Sequence, residues 1–208
     1  MNPDVSRETP ALVERWGFAV PALKQYEHRL ATVGLERGLI GPREVDRLWD
    51  RHIVNSAVLE SCVPEGAGVI DVGSGAGLPG IPLALVRPDL QVTLLEPLLR
   101  RSVFLEETVA ELQLQDRVRV VRGRAEDKLV PPAQIVTARA VAGLDKLVGW
   151  CWPLVKHGGA LVALKGDRAQ EEIDEAAPRL KKLRLTATIR TVGNTTAVIV
   201  TADGKGSQ

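Results

Sequence analysis

The sequence predicts a doubly wound α/β sheet that ends in an antiparallel hairpin and carries a helical extension ahead of its first strand. Three observations carry that prediction. From Gly68 onward, short β-branched runs alternate with amphipathic stretches, the pattern of parallel strands covered by helices on both faces. A glycine-rich turn, Gly73-Ser74-Gly75-Ala76-Gly77-Leu78-Pro79-Gly80, follows the first of these runs. Near the end, two β-branched runs flank Gly193-Asn194, a two-residue hairpin signal.

The first forty residues read as helix and loop. Gly41-Pro42 then opens an amphipathic helix from Arg43 to Val63, with Pro42 at the first helical position, where its missing N–H costs nothing. Val45, Leu48, Trp49, His52, Ser56, Leu59 and Val63 share one face, and Glu44, Arg47, Asp50 and Arg51 the other. On that apolar face His52 reads as a core histidine. Strands are expected at Val69–Val72, Gln91–Glu96, Arg117–Arg122, Gln134–Ala138 and Gly159–Lys165. Helices are expected at Ile81–Val86, Leu98–Leu114, Leu144–Val155 and Asp167–Leu183. Arg184–Val192 and Thr195–Thr201 form the hairpin. The implied division is a helical extension over 1–64, a sheet domain over 65–202 and a flexible tail over 203–208.

Composition narrows the function classes. Hydrophobic residues make up 45% of the chain and charged residues 25%, a globular balance that excludes a disordered chain. No uncharged apolar stretch is long enough to span a bilayer, and Met1 to Arg15 lacks the apolar core of a signal peptide, so a cytoplasmic location is expected. Cys62 and Cys151 stand alone, as core thiols rather than as a disulfide pair or a zinc site, and no metal is expected. Trp150 and Trp152 read as packing residues between helix and sheet.

The net charge of +1 hides an asymmetry. Residues 1–96 hold nine Lys/Arg against thirteen Asp/Glu, whereas residues 97–190 hold seventeen against twelve. Arg100, Arg101 and Arg124 are the candidate RNA contacts in this basic half, and Arg117, Arg119 and Arg122 read mostly as solvated edge charges.

The glycine turn fits two ligands. Gly75-Ala76-Gly77-Leu78-Pro79-Gly80 matches the dinucleotide pattern G-x-G-x-x-G, with Glu96 about 20 residues on to take ribose hydroxyls, so an NAD-dependent reductase is one reading. S-adenosylmethionine is the other. It is a cation with an amino group, so an acid at Asp71, two residues before Gly73, favours it; beside a pyrophosphate that acid would repel. The terminal hairpin points the same way, since class I methyltransferases end so and dinucleotide dehydrogenases continue with a parallel strand.

With these residues in view, the chain resembles the glucose-inhibited division protein B family. The likeness rests on the glycine turn and on Leu94-Leu95-Glu96-Pro97-Leu98-Leu99-Arg100-Arg101 with Phe104-Leu105. It extends to Arg51-His52-Ile53-Val54-Asn55-Ser56, Gly123-Arg124-Ala125-Glu126, Ala138-Arg139-Ala140-Val141 and Leu164-Lys165-Gly166. These motifs span about Arg37 to Gly166, while Met1–Leu30 and Lys181–Gln208 match poorly. Asn55 stands where the family usually has an acid. The resemblance implies a class I S-adenosylmethionine-dependent methyltransferase acting on guanine N7 of 16S ribosomal RNA, naked or in the small subunit. It also implies cofactor contacts from Gly73, Leu78, Ala125, Glu126 and Arg139, to which the glycine turn and strand ends add Asp71, Gly75 and Glu96.

Guanine N7 carries an in-plane lone pair and no proton, so its methylation needs no general base. Accordingly Thr137-Ala138-Arg139-Ala140-Val141 follows the fourth strand, in place of the Asp/Asn-Pro-Pro-aromatic motif of amine-methylating enzymes. Arg139 and Lys165 are therefore expected to position the reactants rather than to move protons. A methyltransferase with another substrate remains an alternative at this point.

Overall fold

The computed structural model describes residues 14–139 and 141–204. Seven strands form one sheet: β1 (Gly68–Val72), β2 (Gln91–Glu96), β3 (Val118–Arg122), β4 (Ala133–Arg139), β5 (Val155–Lys165), β6 (Leu185–Val192) and β7 (Thr195–Ala202). Their order is β3-β2-β1-β4-β5-β7-β6. The first five run parallel, and β7 inserts antiparallel between β5 and β6. Strand order reverses beside β1, so a crevice opens at its carboxyl end.

The sheet is covered on both faces, which is why its central strands are mostly apolar. Val69, Val92, Leu94, Ile135 and Val162 join one core with α2 (Gly80–Val86) and α3 (Leu99–Glu111). Ile70, Val72, Leu95, Val136 and Leu161 face α4 (Leu144–Cys151) and α5 (Ala169–Leu183) on the other side. Alternation along each strand divides the residues between the two cores.

The N-terminal extension shares the first of these cores through Trp16, Leu23, Tyr26, Leu30, Leu48 and Ile53. Its helix α1 (Val20–Arg29) is also pinned to α3 by charge, since Arg29 pairs with Glu107 at 2.8 Å and with Glu111.

Two expectations need correction, and a third falls mostly outside the described residues. The segment after Pro42 is not one regular helix: a 3₁₀ turn (Pro42–Arg47), a wide π turn (Leu48–Val54), a short α turn (Asn55–Ala57) and another 3₁₀ turn (Val58–Cys62) succeed one another. Burial explains the changes of pitch. Leu48 and Ile53 are both fully buried, and a spacing of five residues on one face asks for a wider turn than the α-helix gives. The second correction is the end of α4, expected at Val155. Pro153 sits in a 3₁₀ turn over Trp152–Leu154, and Val155 already belongs to β5. That strand bulges before Gly159, because its pairing passes from Ala133↔Val155 to Ile135↔Ala160. Third, residues 203 and 204 follow β7, but the rest of the flexible tail expected over 203–208 lies outside the described residues. The hairpin agrees with expectation: Val192 pairs with Thr195 across Gly193-Asn194, and Gly193 has φ +56°.

Candidate active site

β1 ends at the crevice, and the chain turns there through residues 73–80. Gly73 has φ +66°, a left-handed conformation that L side chains rarely adopt, and a Cβ on it would lie 2.9 Å from Val141 Cγ2. Gly77 has φ +101°, and a Cβ on it would meet Ile81 Cδ1 at 2.4 Å. The Ser74 carbonyl accepts from the Gly77 and Leu78 N–H groups at 2.8 and 3.1 Å, which closes the turn.

Asp71 lies beneath this turn rather than in the wall of the crevice. It is fully buried, and its Oδ2 accepts from the Ser74 hydroxyl at 2.6 Å and the Gly80 N–H at 3.0 Å. These two contacts of Oδ2 shape the turn. Oδ1 is buried with no hydrogen-bond partner. Burial pushes the carboxyl up to about 6, against the lowering effect of its two hydrogen bonds. An unfolded Asp titrates near 3.8, so between these values the folded chain keeps a proton that the unfolded chain releases. Stability is thus withdrawn as pH rises from about 4 to about 6, by at most ~3 kcal/mol. Relative to wild type, Asp71→Asn should be more stable at neutral pH than at about pH 4. Parallel thermal melts of the two proteins check this, and an equal pH slope would refute it.

Above the turn lies a cavity of about 590 Å³. Gly73, Gly75, Leu78, Glu96, Ala125, Glu126 and Arg139 all line it, so apart from Asp71 the residues expected at the cofactor meet on one wall. Glu96 is 1% exposed, and its carboxylate accepts from the Gly75 N–H at 2.9 Å and the Leu98 N–H at 3.0 Å. Each oxygen keeps a second lone pair for a ligand hydroxyl.

The far wall comes from the extension, which sequence reasoning did not place there. Arg139 Nη1 donates to the His52 carbonyl and the Ser56 hydroxyl, each at 3.2 Å. Nη2 donates to His52 Nδ1 and to the Arg51 carbonyl. With Nδ1 accepting, the His52 proton sits on Nε2 and is donated to Glu44 Oε2 at 2.6 Å. Burial and the Arg139 charge hold the His52 pKa below its ordinary value, so the ring is neutral at pH 7. His52 is thus a wall residue and not solely a core histidine. Tyr26 was also missed. Its hydroxyl, fully buried on α1, donates to the Ala76 carbonyl at 2.7 Å and ties the extension to the glycine turn. Its one sequence signal was an apolar spacing with Leu23 and Leu30.

Comparison with known proteins decides between a reductase and a methyltransferase. A profile described as "GidB: rRNA small subunit methyltransferase G" matches residues 19–197. The chain belongs to this family. A relative named ribosomal RNA small subunit methyltransferase G, from Thermobifida fusca, is 60% identical over 174 residues, covering 82% of this chain and 72% of its own. The protein of the same name from Kineococcus radiotolerans is 50% identical over 218 residues, covering 99% of this chain and 86% of its own. The fold is shared more widely: the structure of the tRNA methyltransferase TrmK of B. subtilis aligns with a TM-score of 0.57 at 17% identity, covering 74% of this chain and 66% of that one.

The chain is therefore a methyltransferase, and the reductase reading of the glycine turn falls away. The family match also reaches beyond the motif-bearing stretch, into α1 and the hairpin. Lys165, expected to position the reactants, does not line this cavity but a neighbouring one that also touches Arg139 and Val141. Its Nζ is held by Glu172 Oε2 at 2.6 Å and the Ala142 carbonyl at 2.8 Å, with 7% of the side chain exposed. Glu172 also accepts the Leu144 N–H at 2.8 Å, so this clasp fixes the start of α4. Arg101 and Arg124 line the cavity, whereas Arg100 is exposed outside it. Arg119 is spent on Thr93 at 2.9 Å, and Arg117 on the Ala84 carbonyl. Trp150 both packs on the core and lines the cavity. Burial pushes the Cys151 thiol up to about 12, which makes it unreactive. Among the described residues no helix is long and apolar enough to cross a membrane, and no cluster of three metal-binding side chains occurs.

Proposed function

We propose that this chain transfers a methyl group from S-adenosylmethionine to N7 of a guanine in 16S ribosomal RNA of the small subunit. The observation that carries the reading is the meeting of Glu96, the glycine turn, Ala125, Glu126 and Arg139 on one cavity wall in a member of this family. The volume of about 590 Å³ lies within the range of small-molecule sites.

The residues present fit the cofactor. Glu96 offers two carboxylate oxygens to ribose hydroxyls, the left-handed glycines let backbone approach the amino-acid part, and Leu78 with Ala125 gives apolar contact. When bound, S-adenosylmethionine supplies a methyl group made electrophilic by the sulfonium. What the chain supplies is alignment, which is worth on the order of 7–11 kcal/mol when reactants are held in register. His52 is no base for this reaction, because its Nδ1 lone pair is taken by Arg139 and its Nε2 proton by Glu44. Guanine N7 needs none. Arg100, Arg101 and Arg124 contribute positive charge for RNA phosphates, and the substrate places the enzyme in the cytoplasm.

Calorimetry tests the cofactor. Heat should appear with S-adenosylmethionine or its demethylated product and not with NAD. Tight NAD binding without a response to the methyl donor would overturn the reading.

A further inference from the structure

A second cavity, of about 660 Å³, lies against the first, and the two share only Arg139 and Val141 among their lining residues. A methyl group held in the first cavity can pass to a substrate in the second where the two meet. The walls of the second differ in character. The glycine turn and Glu96 are absent; in their place stand Asn55, Arg51, Arg168, Thr195 and Thr196, with Lys165 beside Glu172 and Glu175.

We infer that this second cavity takes the flipped-out target guanine nucleotide, with the Asn55 amide reading the base edge and Arg51 meeting its phosphate. The inference deepens the proposed function and rests on it. Asn55 suits the part for a physical reason. Its backbone carbonyl accepts from Thr195 Oγ1 at 3.5 Å, but its half-buried side-chain amide makes no hydrogen bond among the described residues. An amide offers both a donor and an acceptor, as the guanine edge with its O6, N1–H and N2–H₂ requires. A carboxylate would offer acceptors alone. Arg51 has 56% of its side chain exposed and is held only loosely, by Glu44 at 3.4 Å. Lys165, in contrast, is committed to Glu172, and Arg168 to Glu171 at 2.7 Å.

Arg139 completes the arrangement. Its guanidinium, fixed by His52, Ser56 and the Arg51 carbonyl, stands at the junction of the two cavities. The basic residues Arg101 and Arg124 line the first cavity only, so they are placed for flanking RNA and not for the reacting nucleotide.

The test is Asn55→Leu, close in size but unable to hydrogen-bond. With small-subunit RNA, its kcat/KM should fall at least about tenfold, while S-adenosylmethionine affinity by calorimetry and melting temperature stay near wild type. A value within about threefold of wild type would overturn the assignment. A wild-type enzyme that neither binds the methyl donor nor methylates RNA would instead sink the proposed function, so the two failures are distinguishable. Photocrosslinking of wild type to RNA carrying 6-thioguanosine covers the case in which the variant does not fold. Crosslinks should fall on peptides carrying Asn55 or residues 194–196 of the second cavity. Crosslinks confined to the peptides of Arg101 and Arg124 would contradict it.

Discussion

Arg139→Ala should cut methyl transfer by about a hundredfold or more, because misplacement of reactants by about 1 Å is enough for that loss. The guanidinium satisfies two carbonyls, a hydroxyl and an imidazole nitrogen of the extension. Removing it takes a donor from each of them; the His52 carbonyl keeps the Ser56 hydroxyl and the Asn55 N–H, but an acceptor left orphaned costs about 1–3 kcal/mol where water cannot reach it. The stretch 51–56 then loses its anchor on β4, and the wall between the two cavities loosens. Arg139→Lys should rescue little, since a single ammonium cannot span the fork that the guanidinium fills. Single-turnover kinetics beside melting curves separate the two effects. Near-wild-type turnover in a folded Arg139→Ala protein would remove Arg139 from the site.

Gly73→Val should be the most damaging single change to cofactor binding, lowering affinity by about two orders of magnitude. The cost has two sources. A β-branched residue at φ +66° is strained by about 1–2 kcal/mol, and its Cβ would lie 2.9 Å from Val141 Cγ2, where something must shift. Val141 lines both cavities, so the displacement is transmitted to the point where they meet. The strain alone should lower the melting temperature by several degrees. Unchanged affinity in the folded variant would place the cofactor elsewhere.

What the sequence revealed and what it hid divide along a physical line. The parallel strands, the glycine turn and the hairpin are local signals, each set by burial on both faces or by φ > 0 at a glycine, and these agree with the structure to within a few residues. Contacts between distant segments left no such trace. Arg139 was read as facing the ligand and lines the cavity, but its partner His52 lies 87 residues earlier, on an apolar face that spacing alone assigns to the core. Tyr26 and Ala76 are 50 residues apart, and a single tyrosine in a helix carries no hint of the carbonyl it will meet. The partner of Lys165 was hidden for the same reason. A lysine after a strand end reads as free until Glu172, one helical segment later, is seen to fold back on it. Asp71 shows the limit of a charge argument: its sign suits the methyl donor, yet its Oδ2 is turned toward Ser74 and Gly80.

The most direct measurement supplies the purified protein with S-adenosylmethionine carrying a labelled methyl group, together with small ribosomal subunits or their RNA, and maps the product base. Label should accumulate in 16S RNA as N7-methylguanine at one position and be absent without the protein. Label on another atom, or in no RNA at all, would contradict the account.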